Sequence, residues 1–260
     1  MLQRWRKPIT VVLTPECVVI NSGKKASRVI ELKTSMADKS SWSQALAELE
    51  KNAATIASCR VRFILSNHYV RYAVLPWQSD IYLHQDWQSL AENYLRTVHG
   101  NVVDDWKVSV AMQGYQNPLI VSAIDNLLVT QLEQLVTQFK WTLESIEPAF
   151  MSVLNHYHHK IKNNDCLMMI EPRRTVLAEI TKGCLASFTI ACPPTEQDSM
   201  ESTKLIKRIR VLNNNKQSTA IHLFGEQALQ PKGVVENMAI SSLSEHAEHS
   251  VTALMLAELA

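Results

Sequence analysis

The sequence predicts an α/β protein built from two related lobes, and three observations support this prediction. Residues 166–183 (CLMMIEPRRTVLAEITKG) contain two apolar runs around a short polar break, which is typical of a β-hairpin. Residues 9–23 (ITVVLTPECVVINSG) follow the same plan, and Pro15 aligns with Pro172 when the two hairpins are superposed. Strand-like and helix-like apolar patterns alternate after the first hairpin, as expected of a mixed α/β lobe. We therefore predict a duplicated chain.

The first lobe is predicted to span residues 1–164. A third strand at 28–33 follows the hairpin. A helix then begins at Ser41, whose hydroxyl suits an N-cap, and its apolar residues keep helical spacing as far as Ile56. The next strand occupies 61–66. Hairpin, strand, helix and strand in this order are typical of one α/β lobe.

The chain then continues through a segment with helices and strands of its own. Residues 67–77 have an extended pattern. Asp86 is the predicted cap of a helix that Gly100 ends, and Asp125 is the predicted cap of the following helix. The remaining predicted elements are strands at 106–112, 119–124 and 142–146 and a helix at 148–160. This order places the end of the first lobe in the polar residues 162–165.

The second lobe is predicted to span residues 165–260 and begins with the second hairpin. Its further predicted elements are a strand at 185–191, a helix at 203–212, a strand at 220–224 and a closing helix at 241–259. The basic residues of the 203–212 helix fit either a solvated face or a surface for anionic lipid or an acidic partner.

Composition and charge limit the classes of protein to which this chain can belong. The chain has 260 residues, of which 46% are hydrophobic and 20% charged, so it has enough apolar residues for a full core. Its formal net charge of +1 argues against nucleic acid as the main partner, because dedicated binders carry a clear basic excess. The five cysteines form no CxxC pair, which favours buried thiols in a reducing cytoplasm. We find no signal-peptide-length apolar stretch and no membrane span, and we expect a cytoplasmic protein.

Several stretches resemble actin-like proteins that assemble type IV pili and type II secretion systems, namely the PilM family, the MshI proteins and the cytoplasmic part of GspL. The most specific stretch is LSNHYVRYAVLPW at 65–77, which is similar to the family's run from Ser-Asn-His through Arg-Tyr to Leu-Pro-Trp. The stretches DWQSLAENYLRTVHG and LIVSAIDNLLVTQLEQLV fit the same pattern. The resemblance implies a duplicated actin-like (RNase H-like) two-lobe fold, with an inserted subdomain at about 78–146 and a reduced second lobe.

The resemblance also implies where a nucleotide would bind, and this sequence departs from the family at those places. Nucleotide-binding members carry Asp-Ile-Gly type turns, in which glycine lets backbone N–H groups approach phosphate. Proline replaces that glycine here, and only Glu171 is able to replace the metal-binding Asp. The vestigial pocket would consist of Thr14, Pro15, Glu171, Pro172, Gly225 and Glu226. We therefore expect no catalytic residue, no cofactor and no ATP hydrolysis.

In the resembling family, a cleft between the first lobe and its inserted subdomain receives a partner's cytoplasmic tail. An extended peptide in a groove requires aromatic anchors and polar groups that bind its backbone. Four residues at the mouth of the insertion meet this requirement, namely Asn67, Arg71, Tyr72 and Trp77. Core and anchor roles are equally open for Trp77, whereas a core role is favoured for Tyr72.

The remaining clusters of histidine and arginine residues are typical of solvent-exposed surface. His156, His158 and His159 lack a nearby Cys or Asp to complete a metal site, and the spacing of His246 and His249 fits a solvated helical turn. We therefore expect no metal site. Arg173 and Arg174 fit either a charged hairpin tip or a phosphate contact.

The sequence thus predicts a scaffold of a type IV pilus, MSHA-type pilus or type II secretion inner-membrane platform. The implied partner is a membrane-anchored protein, PilN- or GspM-like, bound through its cytoplasmic segment. The motor ATPase is a further implied partner, and a homodimer is allowed. Such a scaffold is cytoplasmic and associates with the inner membrane through its partners. Two alternatives stay open at this point, an active or ATP-gated actin-like ATPase using Mg-ATP and a small-molecule binding module using the cleft between the lobes.

Overall fold

The computed structural model describes residues 9–22, 27–32, 41–56, 58–192, 220–225, 240–242 and 256–257. In chain order its strands and helices are β1 (Ile9–Leu13), β2 (Cys17–Asn21), β3 (Arg28–Glu31), α1 (Ser41–Ala53), β4 (Arg60–Leu65), β5 (Val70–Leu75), α2 (His84–His99), β6 (Trp106–Met112), β7 (Leu119–Asp125), α3 (Asn126–Gln138), β8 (Thr142–Pro148), α4 (Ala149–Tyr157), β9 (Cys166–Glu171), β10 (Arg174–Thr181), β11 (Cys184–Ala191), β12 (Ile221–Gly225) and β13 (Ile240–Ser242). Two short 3-10 helices, at Asn67–Tyr69 and Gly100–Asp105, complete the described elements.

Two five-stranded sheets have the same topology, which confirms the predicted duplication. The first sheet has the order β3-β2-β1-β4-β8 and the second has the order β11-β10-β9-β12-β13. In each sheet the first three strands form an antiparallel meander, and the fourth and fifth strands extend it in parallel. Parallel addition requires a crossover connection, and α1 supplies it between β3 and β4.

A third sheet, with the order β5-β7-β6, lies between β4 and β8 in the sequence. It is antiparallel throughout, and α2 packs on it through buried Trp87, Ala91 and Leu95. This sheet begins at Val70, while β8 belongs to the first sheet. The predicted insertion at 78–146 and the lobe limits at 164 and 165 stay predictions as folding units.

The main core is shared by the two large sheets. It contains Val11 and Leu13 of β1, Leu167 and Met169 of β9, and Phe150 of α4. The alternate residues of β9 face a second apolar cluster on the other side of its sheet. Because both faces of β9 are covered, its sequence is a continuous apolar run without alternation.

Local signals located two helix ends correctly, the start of α3 and the end of α2. The Asp125 side chain accepts a hydrogen bond from Leu127 N at 2.8 Å, as an N-cap does, and Gly100 ends α2 with a φ of 77°. Asp86 is not a cap, because α2 begins at His84 after Leu83. Asp86 lies instead in the first turn of α2, where its negative charge interacts favourably with the helix dipole and stabilises the helix.

Two other expectations differ from the structure. Asn67–Tyr69 is a 3-10 turn and not extended chain, because the Ser66 hydroxyl accepts a hydrogen bond from His68 N at 3.2 Å. The closing helix does not begin at 241, since Ile240–Ser242 pairs with β12 as a strand. Leu256 and Ala257 are helical, while the predicted helix at 203–212, His246 and His249 lie outside the described residues.

Candidate functional site

The candidate site is the region where the turns of the two related hairpins meet. In the first turn, Thr14 is 9% exposed, and its hydroxyl accepts hydrogen bonds from Cys17 N at 3.0 Å and Glu16 N at 3.3 Å. The same hydroxyl donates to Cys17 O at 3.0 Å. Backbone N–H groups of a turn are the donors that bind a phosphate. Here the protein's own threonine binds them, and Pro15 supplies no such donor.

The second turn contains Glu171, the residue that is able to replace a metal-binding aspartate. Glu171 is 3% exposed. Its Oε1 accepts a hydrogen bond from Ser66 Oγ at 2.7 Å, and its Oε2 accepts one from Asn67 N at 3.1 Å. Both partners belong to the first lobe. The carboxyl group therefore joins the two lobes, and both of its oxygens are occupied.

Ser66 connects the two turns directly. Its backbone N–H donates to Leu13 O at 2.9 Å, next to the first turn, while its hydroxyl donates to Glu171 in the second. Ser66 is fully buried. The space between the two hairpin turns thus contains a hydrogen-bonded protein network.

The chemistry of Glu171 follows from this environment. Burial raises the pKa of its carboxyl group, while the hydrogen bonds from Ser66 and Asn67 and the charge of Arg174 act in the opposite direction. Burial also raises the pKa of the Tyr72 phenol well above its usual value. Burial thus favours the neutral form of both groups, and the two oxygens of Glu171 are already hydrogen-bonded to Ser66 and Asn67.

Gly225 was predicted to belong to the vestigial nucleotide pocket, and the fold itself explains why this residue is glycine. Its φ is 136°, a conformation that residues with a side chain rarely adopt. A Cβ at this position would collide with the backbone carbonyl of Ile170, its register partner in β9. Gly225 therefore allows close approach of two strands. Glu226 lies outside the described residues.

Positively charged side chains collect beside the second turn, around the carbonyl oxygen of Val70. The guanidinium groups of Arg71 and Arg174 both donate to Val70 O, at 3.2 and 3.3 Å. His68 donates through Nε2 to Pro172 O at 2.8 Å. Burial lowers the pKa of His68 to about 4, and three nearby arginines act in the same direction. His68 is therefore neutral at physiological pH.

The four residues predicted to bind a partner occupy three different environments. Asn67 is fully buried, and its Oδ1 accepts hydrogen bonds from Tyr72 Oη at 2.6 Å and Phe150 N at 3.2 Å. The Tyr72 ring stacks on Phe188 at 4.9 Å between centroids. Asn67 and Tyr72 thus join the lobes from within. Their role in partner binding stays a prediction.

Arg71 and Trp77 are separated from that pair. Arg71 is half-buried on β5, where burial and the charge of Arg174 lower its pKa. Trp77 packs between Trp87 and Tyr115, with ring centroids 5.3 and 5.4 Å away, in the separate core of the three-stranded sheet. Trp77 therefore has core contacts, and it is also partly exposed.

A crevice of about 250 Å³ lies between β5, α2 and β11. Residues 72–74 and 186–188 form two of its walls, and the end of α2 forms the third. We call it the β5–β11 crevice. The sequence did not indicate it, because two of its walls, residues 72–74 and 186–188, are more than 100 positions apart and carry no motif.

The described residues contain no group of three or more His, Cys, Asp or Glu side chains arranged to hold a metal ion. His158 Nδ1 contacts Asn155 O at 2.6 Å, and the His156 ring packs on Tyr157. No helix in the described ranges is both long and apolar enough to cross a membrane.

Comparisons with known proteins identify the fold. No family model matches the chain, and no curated protein matches it. A Bacteroides thetaiotaomicron protein with an actin-like ATPase fold and unknown function superposes with a TM-score of 0.63 at 13% identity. The match covers 100% of this chain and 98% of that protein.

Two further solved structures are similar over most of their length. The cytoplasmic domain of EpsL, an inner membrane component of the type II secretion system of Vibrio cholerae, gives a TM-score of 0.60 at 11% identity, covering 96% of this chain and 93% of that one. A chain of the PilM-PilN type IV pilus biogenesis complex gives 0.62 at 11% identity, with 91% of each chain covered. The chain therefore has the actin-like ATPase fold, which confirms the fold that the resemblance implied.

Proposed function

We propose that this protein is a non-catalytic scaffold of a type IV pilus, MSHA-type pilus or type II secretion inner-membrane platform. The observation that carries the proposal is the hydrogen-bonded network between the two hairpin turns. Ser66 and Asn67 occupy both oxygens of Glu171, and Thr14 occupies the donors of the first turn. An actin-like fold whose phosphate region is filled in this way is suited to binding other proteins.

The same network argues against ATP turnover. A nucleotide would have to displace Ser66 and Asn67 from a buried carboxyl group, and each displaced buried donor costs about 1–3 kcal/mol. A phosphate placed beside ionised Glu171 would also be repelled unless a metal ion lay between them. Gly225 is already packed against the β9 backbone. These features disfavour the ATPase alternative.

The choice of machinery rests on the similar structures. EpsL is described as an inner membrane component of a type II secretion system, and PilM is described in a complex with PilN. We propose that this chain likewise binds the cytoplasmic segment of a membrane-anchored pilus or secretion protein, PilN- or GspM-like, and so associates peripherally with the inner membrane. Contacts with the motor ATPase and self-association belong to the same proposal.

Co-purification tests the scaffold role. The tagged full chain, expressed in its own host, is recovered from detergent-solubilised membranes, and bound proteins are identified and quantified. We expect a single-span pilus or secretion protein that is lost when its cytoplasmic segment is deleted. Recovery of a stoichiometric small molecule without any such protein would instead favour the small-molecule alternative.

Isothermal titration with Mg-ATP tests the absence of a nucleotide site. We expect no saturable heat up to millimolar nucleotide, because the phosphate region is filled. Micromolar binding that disappears in the folded Glu171→Ala variant would overturn the proposal and support the ATP-gated alternative. Glu133→Ala, an exposed substitution on α3, serves as the control.

A further inference from the structure

We infer that Cys192 is a site of reversible S-thiolation, where a small carboxylate-bearing disulfide such as glutathione disulfide forms a mixed disulfide beside Arg71 and Arg174. This modification goes beyond the proposed scaffold role, and its test does not depend on that role. Three features carry it, namely an accessible thiol, two guanidinium groups beside the thiol, and the lack of a carboxylate paired with either guanidinium group.

Cys192 is the exposed thiol among the five cysteines. Cys17, Cys166 and Cys184 are buried, and Cys59 is half-buried. Burial raises the pKa of the Cys59 thiol to about 11 and that of the Cys166 thiol to about 12, which keeps both protonated at neutral pH. The thiolate is the form that attacks a disulfide. A dissolved disulfide therefore reaches Cys192 before the other cysteines.

The sheet register places Cys192 beside Arg174. Ala191, the last residue of β11, pairs with Thr175 of the antiparallel strand β10. One position further along, Cys192 lies opposite Arg174, and directly opposite side chains of such a pair share one face of the sheet. Arg174 Nη1 donates to Cys192 Sγ at 3.7 Å. A guanidinium N–H group is thus positioned to pair with negative charge on the sulfur atom.

Arg71 adds a second guanidinium group to this surface. Arg71 and Arg174 both donate to Val70 O, at 3.2 and 3.3 Å. Burial and the positive charge of Arg174 lower the pKa of Arg71, whereas a negative charge on Cys192 raises it. The three side chains therefore lie within electrostatic reach of one another. An anionic group attached to Cys192 would relieve the repulsion between the two arginines.

Neither arginine is paired with a carboxylate. Within the described part of the chain, no ion pair joins Arg71 or Arg174 to an acidic side chain. Glu171, the register partner of Arg174 in β9, binds Ser66 and Asn67 instead. Arg174 is 8% exposed, and its Nε has no hydrogen-bond partner among the described residues. Because a buried cation is costly unless it is fully paired, a carboxylate held nearby stabilises it.

Thiol–disulfide exchange attaches the ligand. The Cys192 thiolate attacks one sulfur of the dissolved disulfide, so that a new S–S bond forms and the S–S bond of the reagent breaks. The Cys192 sulfur is oxidised, and the departing sulfur is reduced to a thiolate, which takes up the proton that Cys192 released. The carboxylates of the attached group then lie beside Arg71 and Arg174 as charge-assisted acceptors. An excess of free thiol reverses the step.

The same charges disfavour a disulfide between two copies of the chain. Arg71, Arg173 and Arg174 all lie close enough to His68 for their charges to lower its pKa, after the larger effect of burial. A dimer linked through Cys192 would bring two such groups of arginines together, and like charges repel. A small anionic disulfide is therefore favoured over a second copy.

Competition between disulfides of opposite charge tests the modification. The reduced full-length protein is treated with glutathione disulfide, which has an excess of carboxylates, or with cystamine, which carries ammonium groups instead. Intact mass measures the rate, and peptide mapping locates the adduct. We expect a single glutathionyl group at Cys192 and none in Cys192→Ser. The preference for glutathione disulfide should be about tenfold larger in the folded protein than at the same cysteine in urea.

Matched variants separate the effect of charge from that of exposure. We expect Arg71→Gln to reduce the preference about threefold, because a positive charge near the sulfur is lost. Arg71→Lys keeps that charge and should retain the preference. Arg60→Gln, which removes an arginine paired with Glu144 on the first lobe, should leave the preference unchanged. High salt should reduce the preference of the wild type, since ions screen exposed charges. Circular dichroism checks that each variant is folded.

Three results would overturn the inference. They are an adduct that forms first at another cysteine, a preference that equals the one in urea or is unchanged by Arg71→Gln, and a dimer linked through Cys192 as the main product. The membrane co-purification experiment is independent of all three. If the wild type recovers no membrane partner, the scaffold role fails and the expected chemistry of Cys192 stays the same.

Discussion

The two hairpin turns occupy equivalent places in two sheets of identical strand order, yet their polar groups are used differently. The first turn is closed locally, since Thr14 binds backbone groups two and three positions further on. The second turn reaches across to the first lobe through Glu171 and Pro172 O. One turn therefore stabilises its own hairpin, whereas the other holds the lobes together.

The strand beside each hairpin shows a second difference. Leu13 of β1 pairs with Leu65, while the equivalent Ile170 of β9 pairs with Gly225. Leu65 is an ordinary buried strand residue, whereas Gly225 has a positive φ and no room for a side chain. The duplicated frame thus tolerates a large side chain in one lobe and requires glycine in the other.

The largest expected effect comes from breaking the contact between the lobes. We expect Glu171→Ala to lower the free energy of unfolding by about 3 kcal/mol, because buried donors of Ser66 and Asn67 lose their acceptor and Arg174 loses its neighbouring negative charge. Urea unfolding of the wild type and the variant, monitored by circular dichroism, measures this difference in the free energy of unfolding.

A double-mutant cycle sharpens this comparison. Glu171→Ala and Ser66→Ala should couple by roughly 1 kcal/mol or more, whereas Glu171→Ala and Thr14→Val should add within about 0.5 kcal/mol. Equal coupling in the two cycles would contradict the distinction between a local turn and an inter-lobe turn.

A smaller effect is expected from His68, which bonds to the second turn. Its folded-state pKa is lowered to about 4 from 6.5, so the unfolded chain takes up the proton first as the pH falls. Stability should therefore decline between about pH 6.5 and pH 4, by an amount on the order of 2 kcal/mol. The raised pKa of Glu171 acts in the opposite direction, because protonation then favours the folded state.

The His68→Gln variant isolates this contribution. It retains a donor for Pro172 O but does not titrate, so the difference between wild type and variant reports His68 alone. Stability is measured by urea unfolding at a series of pH values. A difference that does not change with pH would show that His68 is not buried in its neutral form.

The smallest effect is expected in the first turn. We expect Thr14→Val to lower the free energy of unfolding by about 1 kcal/mol, since a hydroxyl that accepts two backbone hydrogen bonds is lost while the side-chain shape is kept. Thr130→Val, which removes an exposed hydroxyl on α3, should change stability by less than about 0.5 kcal/mol. If Thr14→Val lowered the free energy of unfolding as much as Glu171→Ala does, the first turn would also hold the lobes together.

Local patterns were sufficient for much of the architecture. The two hairpins and the cap at Asp125 follow from residues within a few positions of one another, and the structure confirms them. The expected cap at Asp86 failed for a local reason too, because the preceding residues of α2 continue the helix without a side-chain cap. Short-range rules therefore predicted element types better than element ends.

The duplicated strand pattern and the prolines of both hairpin turns are evident in the sequence, because strand periodicity and proline are properties of single segments. The role of Glu171 depends instead on the folded chain, because its partner Ser66 is 105 positions away. The same holds for Gln113, which binds Leu185, 72 positions further along the chain. A polar side chain can form a hydrogen bond with any suitable group, so its partner is fixed only when folding brings distant segments together.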